Sequence, residues 1–219
     1  MNKVYKVIVI DDHAVVREGL SGMITQEKDM LLCGVDDGTS AVRMVNEFMP
    51  DIVILDLSLK SMNGMDLIAS MKSCKPDILI LVFSMHDELI FAERCIKTGA
   101  SGYVMKSEEP EVILRAIRKI LEGKIYLSEK MMEFFLHKAM NFKPQEEQDS
   151  VELLSEREFQ VFHLTGSGMG TRQIADTLNL SVKTIETFKD NIKHKLNLKS
   201  ASELNQYAVK WMLSHNIIS

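Results

Sequence analysis

The sequence predicts two domains: an α/β domain with a five-stranded, parallel, doubly wound sheet, then an all-α, four-helix domain built on a helix-turn-helix. Three observations predict this. Within residues 1–125, five short apolar runs alternate with five segments of helical period, the pattern of a parallel sheet with helices on both faces. Most of these runs are continuous rather than alternating, as in strands buried on both sides. Residues 151–219 read as helical throughout, with Ser-x-x-Glu capping signals opening two of the segments.

The strands are expected at 7–10, 31–35, 52–55, 78–83 and 103–105, and the helices between them at 15–24, 41–48, 67–71, 91–97 and 112–121. A further helix over 128–140 carries Met131, Phe134, Phe135 and Leu136, and the stretch 131–135 is expected to pack on a neighbouring domain. Residues 141–150 hold Pro144 and a Gln-Glu-Glu-Gln-Asp run with little to bury, so they read as a flexible linker. The domain boundaries are thus 1–125, 126–150 for the helical extension and linker, and 151–219.

In the last segment, Ser155-x-x-Glu158 opens a helix bearing Phe159, Val161, Phe162 and Leu164. Gly166, Gly168 and Gly170 punctuate its end. A short helix over 171–178, a turn at Asn179–Ser181 and a longer helix over 182–196 capped by Ser181 form the helix-turn-helix. Ala175, Leu178, Leu180 and Ile185 are spaced to pack its two helices together. Ser200-x-x-Glu203 caps a last helix containing Leu204, Tyr207, Ala208 and Trp211.

Ligands of an open parallel sheet bind beyond the carboxyl ends of its strands. Asp11 and Asp12 follow the first strand, Asp56 ends the third, Ser84 the fourth and Lys106 the fifth. An aspartate alone at a strand end is usually a turn or cap residue. Gathered at one edge, three carboxylates repel one another and favour protonation of one or recruitment of a cation. A hard divalent ion such as Mg²⁺ suits oxygen ligands. One carboxylate can then attack phosphorus to give an acyl phosphate, while the metal and an ammonium neutralise the phosphoryl oxygens.

In a helix-turn-helix the N-terminal part of the second helix enters the major groove. Residues 182–199 carry five lysines against Glu186 and Asp190, a local net charge of +3 in a chain of net charge −5. Lys183 and Thr184 sit near the helix start, Thr187 and Lys189 on the next turn, and Lys193 one turn further. Lys193 and Lys195, two apart, do not share a face.

These motifs resemble a known family. The Asp11-Asp12 pair, Val-Ile-Leu-Asp56, Phe-Ser84 and Gly-Tyr103-Val-Met-Lys106 are similar to the receiver domain of two-component response regulators, over about residues 4–123. LSEREF at 154–159, TRQIAD at 171–176 and LSVKTIET at 180–187 resemble the LuxR-type DNA-binding domain of the NarL/FixJ class, over about residues 151–214. The resemblance implies a flavodoxin-like receiver with Asp56 as phosphoacceptor, Asp11 and Asp12 organising Mg²⁺, and the backbone carbonyl of Ser58 completing the metal site. It makes Ser84 and Tyr103 a switch pair and Lys106 the clamp on the phosphoryl group. An aromatic such as Tyr103 beside a strand is otherwise most often core. It implies a sensor histidine kinase and double-stranded DNA as partners, a phosphorylation-dependent homodimer, and control of transcription. The last helix helps dimerise by the same resemblance.

Three departures stand out. Lys60 and Ser107 occupy positions where receivers often carry proline: Lys60 adds a charge near the site, and Ser107 removes a possible cis-proline constraint. Glu186 and Asp190 stand where members often carry basic residues. An acid there either accepts from a cytosine amino group or faces away from the DNA, and the second is the expectation.

Composition bounds the rest. At 46% hydrophobic and 26% charged the chain is an ordinary globular protein, and no apolar run approaches the ~18 residues of a membrane span. The N-terminus does not read as a secretory signal, and Cys33, Cys74 and Cys95 show no CxxC pairing, so the expected location is the cytoplasm. An enzyme is not expected. Haloacid-dehalogenase-type phosphatases place a second Asp two residues after the nucleophile, where this chain has Ser58. No glycine-rich loop for a nucleotide follows the first strand. A phosphorylation-independent DNA binder is the remaining rival.

Overall fold

The computed structural model describes residues 3–59, 63–140 and 150–214. The chain divides into two compact units, Met1–Asn141 and Phe142–Ser219. No described helix is long and apolar enough to cross a membrane.

The first unit alternates strictly: β1 (Tyr5–Ile10), α1 (Ala14–Gln26), β2 (Met30–Asp36), α2 (Ala41–Phe48), β3 (Ile52–Leu55), α3 (Gly64–Cys74), β4 (Leu79–Ser84), α4 (Glu88–Thr98), β5 (Gly102–Met105) and α5 (Pro110–Leu121). The strands form one parallel sheet in the order β2-β1-β3-β4-β5. Val7, Val9, Ile52, Ile54, Leu81 and Phe83 pack with Leu20 and Ile24 of α1 and with Ile113, Ile117 and Ile120 of α5. The alternate residues Ile8, Ile10, Val53, Leu55, Ile80 and Val82 are equally buried, so both faces of the sheet are covered. Helices α3 and α4 begin three residues earlier than their apolar period. Asn63 and Asp87 cap them by accepting from the backbone N–H of Met65 and Leu89 at 2.8 and 2.9 Å.

Helix α6 (Glu129–Met140) belongs to this unit and packs on α4. Ser128 fixes it twice: its hydroxyl donates to Glu88 Oε1 at 2.7 Å and accepts from the Met131 N–H at 3.0 Å. Met131 is fully buried. The chain reaches α6 by laying Tyr126 against β5, with Tyr103 N donating to the Tyr126 carbonyl at 3.0 Å and Tyr126 N to that of Ser101 at 3.1 Å. Gly102 permits this approach, because a Cβ there would lie 2.8 Å from the Tyr126 carbonyl oxygen. The expected linker lies outside the described residues except for Ser150, which opens a 3-10 turn, Ser150–Leu153.

The second unit holds α7 (Glu156–Gly166), α8 (Thr171–Thr177), α9 (Val182–Lys195) and α10 (Ala201–Ser214). Its core gathers Phe159, Phe162, Ile174, Ala175, Ile185, Ile192, Leu204 and Ala208. The Trp211 ring stands edge-on to Phe159 and Phe162 at 5.7 and 5.8 Å. Asn179 takes the left-handed conformation (φ 52°) that turns α8 into α9, and Ser181 caps α9.

Ser155 and Glu158 form the reciprocal capping box read from the sequence, and Glu158 does more. Its Oε2 accepts from the Ser155 N–H at 2.7 Å and from Lys195 Nζ of α9 at 2.6 Å. Burial raises the Glu158 carboxyl, but the Lys195 ammonium and the Ser155 N–H outweigh it and hold it below its ordinary value. A depressed acid stabilises the fold above its unfolded value of 4.5 and ceases to as pH falls through the folded one. Glu158→Gln is therefore expected to cost the second unit about 1–2 kcal/mol at pH 7. The gap from wild type should close in calorimetric scans as pH falls below 4.5 and through the folded value.

Candidate functional site

Strands β1 and β3 are neighbours in register, Ile10 opposite Leu55, so Asp11 and Asp56 leave the sheet side by side at the point where the strand order reverses. Both are 1% exposed. Lys106, carried in from the end of β5, places Nζ 2.7 Å from Asp56 Oδ2 and 2.7 Å from Asp11 Oδ2. Its backbone N–H is anchored on the Ser84 carbonyl at 2.8 Å. Burial pushes the Asp56 carboxyl above its ordinary value. The Lys106 ammonium and the Ser58 N–H (3.1 Å to Oδ1) pull the other way without cancelling it, and the Asp11 charge adds to the rise.

Oxygen atoms of Asp11, Asp12 and Asp56 and a nitrogen of His13 lie within 4.8 Å of one another. Three carboxylates against one ammonium leave the pocket negative, and hard oxygen donors at this spacing fit a divalent cation. His13 was not anticipated. Its Nδ1 lies 2.8 Å from Asp12 Oδ1 and 3.2 Å from Asp11 Oδ1, with the ring half exposed. Its place immediately after the acid pair was the available signal.

Ser84 is fully buried at the end of β4, and its Oγ accepts from the His86 N–H at 3.2 Å. Tyr103 is 1% exposed, and its hydroxyl donates to the His86 carbonyl at 2.9 Å. Burial first of all, with Cys95 and Asp56 adding to it, holds the phenol well above its ordinary value, so it is a proton donor here. The His86 ring stacks on Phe91 at 4.6 Å, and its Nε2 lies 3.0 Å from Ser58 Oγ. One residue that the sequence reading passed over thus ties Ser58, Ser84 and Tyr103 together through its ring, N–H and carbonyl. Lys60 lies outside the described residues. Ser107 is exposed in the turn after Lys106, and the described residues contain no cis peptide bond.

On α9, Ile185 and Ile192 face the core while Lys183, Glu186, Thr187 and Asp190 are exposed. The other three expected DNA-contacting side chains have partners within the unit. Thr184 Oγ1 lies 2.7 Å from the capping Ser181 hydroxyl. Half-buried Lys189 donates to Thr171 Oγ1 of α8 at 3.1 Å, and burial lowers its pKa. Lys193 pairs with Asp190 at 2.9 Å. Lys195, counted in the basic stripe, is held by Glu158 on the opposite side of the helix.

Comparison with known proteins agrees with both halves. Residues 7–118 match the response regulator receiver domain, and residues 152–208 match the bacterial regulatory proteins of the luxR family. The chain is 36% identical over 211 residues to the oxygen regulatory protein NreC of Staphylococcus carnosus, covering 94% of this chain and 97% of that protein. It is 35% identical, with the same coverage, to NreC of Staphylococcus epidermidis. Among solved structures it is similar to a LuxR-family two-component response regulator from Aurantimonas sp. (30% identity, 64% of this chain and all of that one, TM-score 0.58). It is also similar to the response regulator RcsB of Salmonella typhimurium (25% identity, 94% and 98% of the two chains, TM-score 0.58).

Proposed function

Because this chain belongs to the two-component response regulators that join a receiver domain to a LuxR-type DNA-binding domain, we propose that a phosphoryl group on Asp56 controls its grip on DNA. It is a DNA-binding regulator of transcription. The observation that carries the assignment to Asp56 is the buried triangle of Asp56, Asp11 and Lys106, in which one ammonium serves two carboxylates at 2.7 Å.

We assign residues 1–125 to the receiver, 126–150 to the helical extension and linker, and 151–219 to the DNA-binding domain. A sensor histidine kinase supplies the phosphoryl group. An Asp56 oxygen attacks phosphorus, the P–N bond to the kinase histidine breaks, and the imidazole leaves with the bonding pair. Asp11, Asp12, Asp56 and the Ser58 carbonyl are the residues that would hold Mg²⁺, which when bound neutralises charge on the phosphoryl oxygens. Lys106 transfers one of its contacts from the Asp56 carboxylate to a phosphoryl oxygen. The Ser84 hydroxyl donates to another. Moving Ser84 disturbs His86, and through the His86 carbonyl the Tyr103 hydroxyl, so the charge at Asp56 reaches β5, against which Tyr126 leads the chain into α6.

The shifted state favours a homodimer whose two helix-turn-helix units bind adjacent half-sites. A solved structure of RcsB, 25% identical to this chain, holds two dimers on two parallel DNAs, and the same mode is proposed here. We infer from these proposed partners that the protein acts in the cytoplasm. Hydrolysis of an outside substrate is disfavoured, since the residue two after Asp56 is Ser58, with its hydroxyl on His86 and no carboxylate to act as acid or base.

Light scattering of the full chain with Mg²⁺, before and after beryllofluoride, tests the reading. The native chain is expected to shift from monomer to dimer, and Asp56→Ala to stay monomeric. If both respond alike, or neither responds, Asp56 is not the switch.

A further inference from the structure

We propose that Glu186 is a base-reading residue that selects cytosine at one position of each DNA half-site. The inference rests on the DNA-binding reading above and deepens it.

Lys183, Glu186, Thr187 and Asp190 stand at i, i+3, i+4 and i+7, which is one stripe of α9, and all four are exposed. The stripe lies opposite Ile185 and Ile192, the residues that seat α9 in its own domain. It is therefore the face left to enter the groove, and Glu186 sits between Lys183 and Asp190 upon it. Both acids lie on this exposed stripe.

The two acids differ. Asp190 is engaged by Lys193 at 2.9 Å. Glu186 has no ion pair or side-chain hydrogen bond among the described residues. Nor does it serve the helix end, since Ser181 and Thr184 already form the cap and the helix dipole has faded by the second turn. A free carboxylate brought to DNA meets phosphates, which repel it, or base edges. On the floor of the major groove guanine offers only acceptors and thymine an acceptor and a methyl. Cytosine offers the N4 amino donor with only C5–H beside it on its own ring, whereas the adenine amino group adjoins its own N7 acceptor. A carboxylate at Glu186 therefore rewards cytosine and penalises guanine and thymine. Lys183, one turn earlier, offsets its repulsion from the backbone.

The test is selection from random duplexes by the beryllofluoride-treated full chain with Mg²⁺, followed by affinities for single-base variants of the selected site. Wild type is expected to show one position per half-site where cytosine is preferred about tenfold or more over guanine and thymine. Glu186→Ala should reduce that preference to within about threefold at that position alone, and Glu186→Gln should move it toward adenine, the base a carboxamide pairs with. Asp190→Asn should tighten binding to all sequences and leave the preference unchanged. Trp211 fluorescence confirms that each variant keeps its fold. If Glu186→Ala tightens binding to every sequence alike with all preferences intact, the acid only repels DNA and the inference fails while the regulator reading stands. If wild type binds no duplex in any state, the DNA-binding reading falls and this inference with it.

Discussion

Asp56→Asn is expected to abolish phosphoryl uptake and, in the absence of divalent metal, to raise the melting temperature of the receiver. The loss should be at least about 10³-fold, because an amide offers no carboxylate oxygen to attack phosphorus. The gain in stability follows from the packing. Asp56 is 1% exposed, beside Asp11, and its carboxyl is held above its ordinary value. An acid whose folded pKa is raised adds its stability below the unfolded value, 3.8, and loses it as pH rises through the folded one. At pH 7 its charge is thus a net cost to the fold. Asparagine fills the same space without that charge, and Lys106 keeps Asp11 at 2.7 Å. About 1 kcal/mol, or roughly 3 °C, is the expected gain in a chelated buffer. Millimolar Mg²⁺ should narrow the difference by stabilising wild type more than the variant. Calorimetry of both chains with and without chelator, alongside a phosphorylation assay, decides it. A variant less stable than wild type without metal would show that the Lys106 contact outweighs burial and repulsion.

The second large effect is expected from Phe162→Ala, which should silence DNA binding while leaving Asp56 able to take a phosphoryl group. Phe162 is fully buried in α7, with Trp211 and Tyr207 of α10 at 5.8 and 6.0 Å. Truncating such a ring costs about 3–5 kcal/mol. A unit of this size has only about 4–10 kcal/mol in total, so little is left to hold α9 in place. The receiver has its own core and forms a separate unit. Trp211 is the single tryptophan of the chain, so its fluorescence reports on the second unit alone. The expected result is loss of the folded Trp211 signal and of DNA affinity, with phosphorylation of the variant at the wild-type rate. Loss of both activities would mean that the two units do not fold independently.

Much of this architecture is legible in the sequence alone. The strand at 52–55 and the helix at 41–48 have the bounds that their apolar runs suggest, because burial pattern and backbone period are local properties. The capping box at Ser155 and Glu158 was equally plain. Helices α3 and α4 were read short because Asn63 and Asp87 cap them in polar stretches that carry no period.

The sites were legible in part. The position of Asp11, Asp56, Ser84 and Lys106 at strand ends followed from the alternation of elements alone. On α9 the sequence gives the lysines their angular spacing but not the direction of the core. The half-buried setting of Lys189 against Thr171, and the capture of Lys195 by Glu158, depend on where α8 and α7 pack. His86 had no signal at all, since the hydrogen bonds that tie it to Ser84, Tyr103 and Ser58 reach residues 2, 17 and 28 positions away.

By itself, then, the sequence determined the order of elements, the edge at which the acids gather and the helix-turn-helix, because period, capping and chain order act over a few residues at a time. Only the tertiary structure decided how those charges are balanced: one ammonium shared by Asp11 and Asp56, an imidazole laid across the acid pair, one acid of α9 paired and the other free. Such balances are set by strand register and helix packing, which bring together groups up to 95 positions apart in the chain, and no local pattern encodes the distance between them.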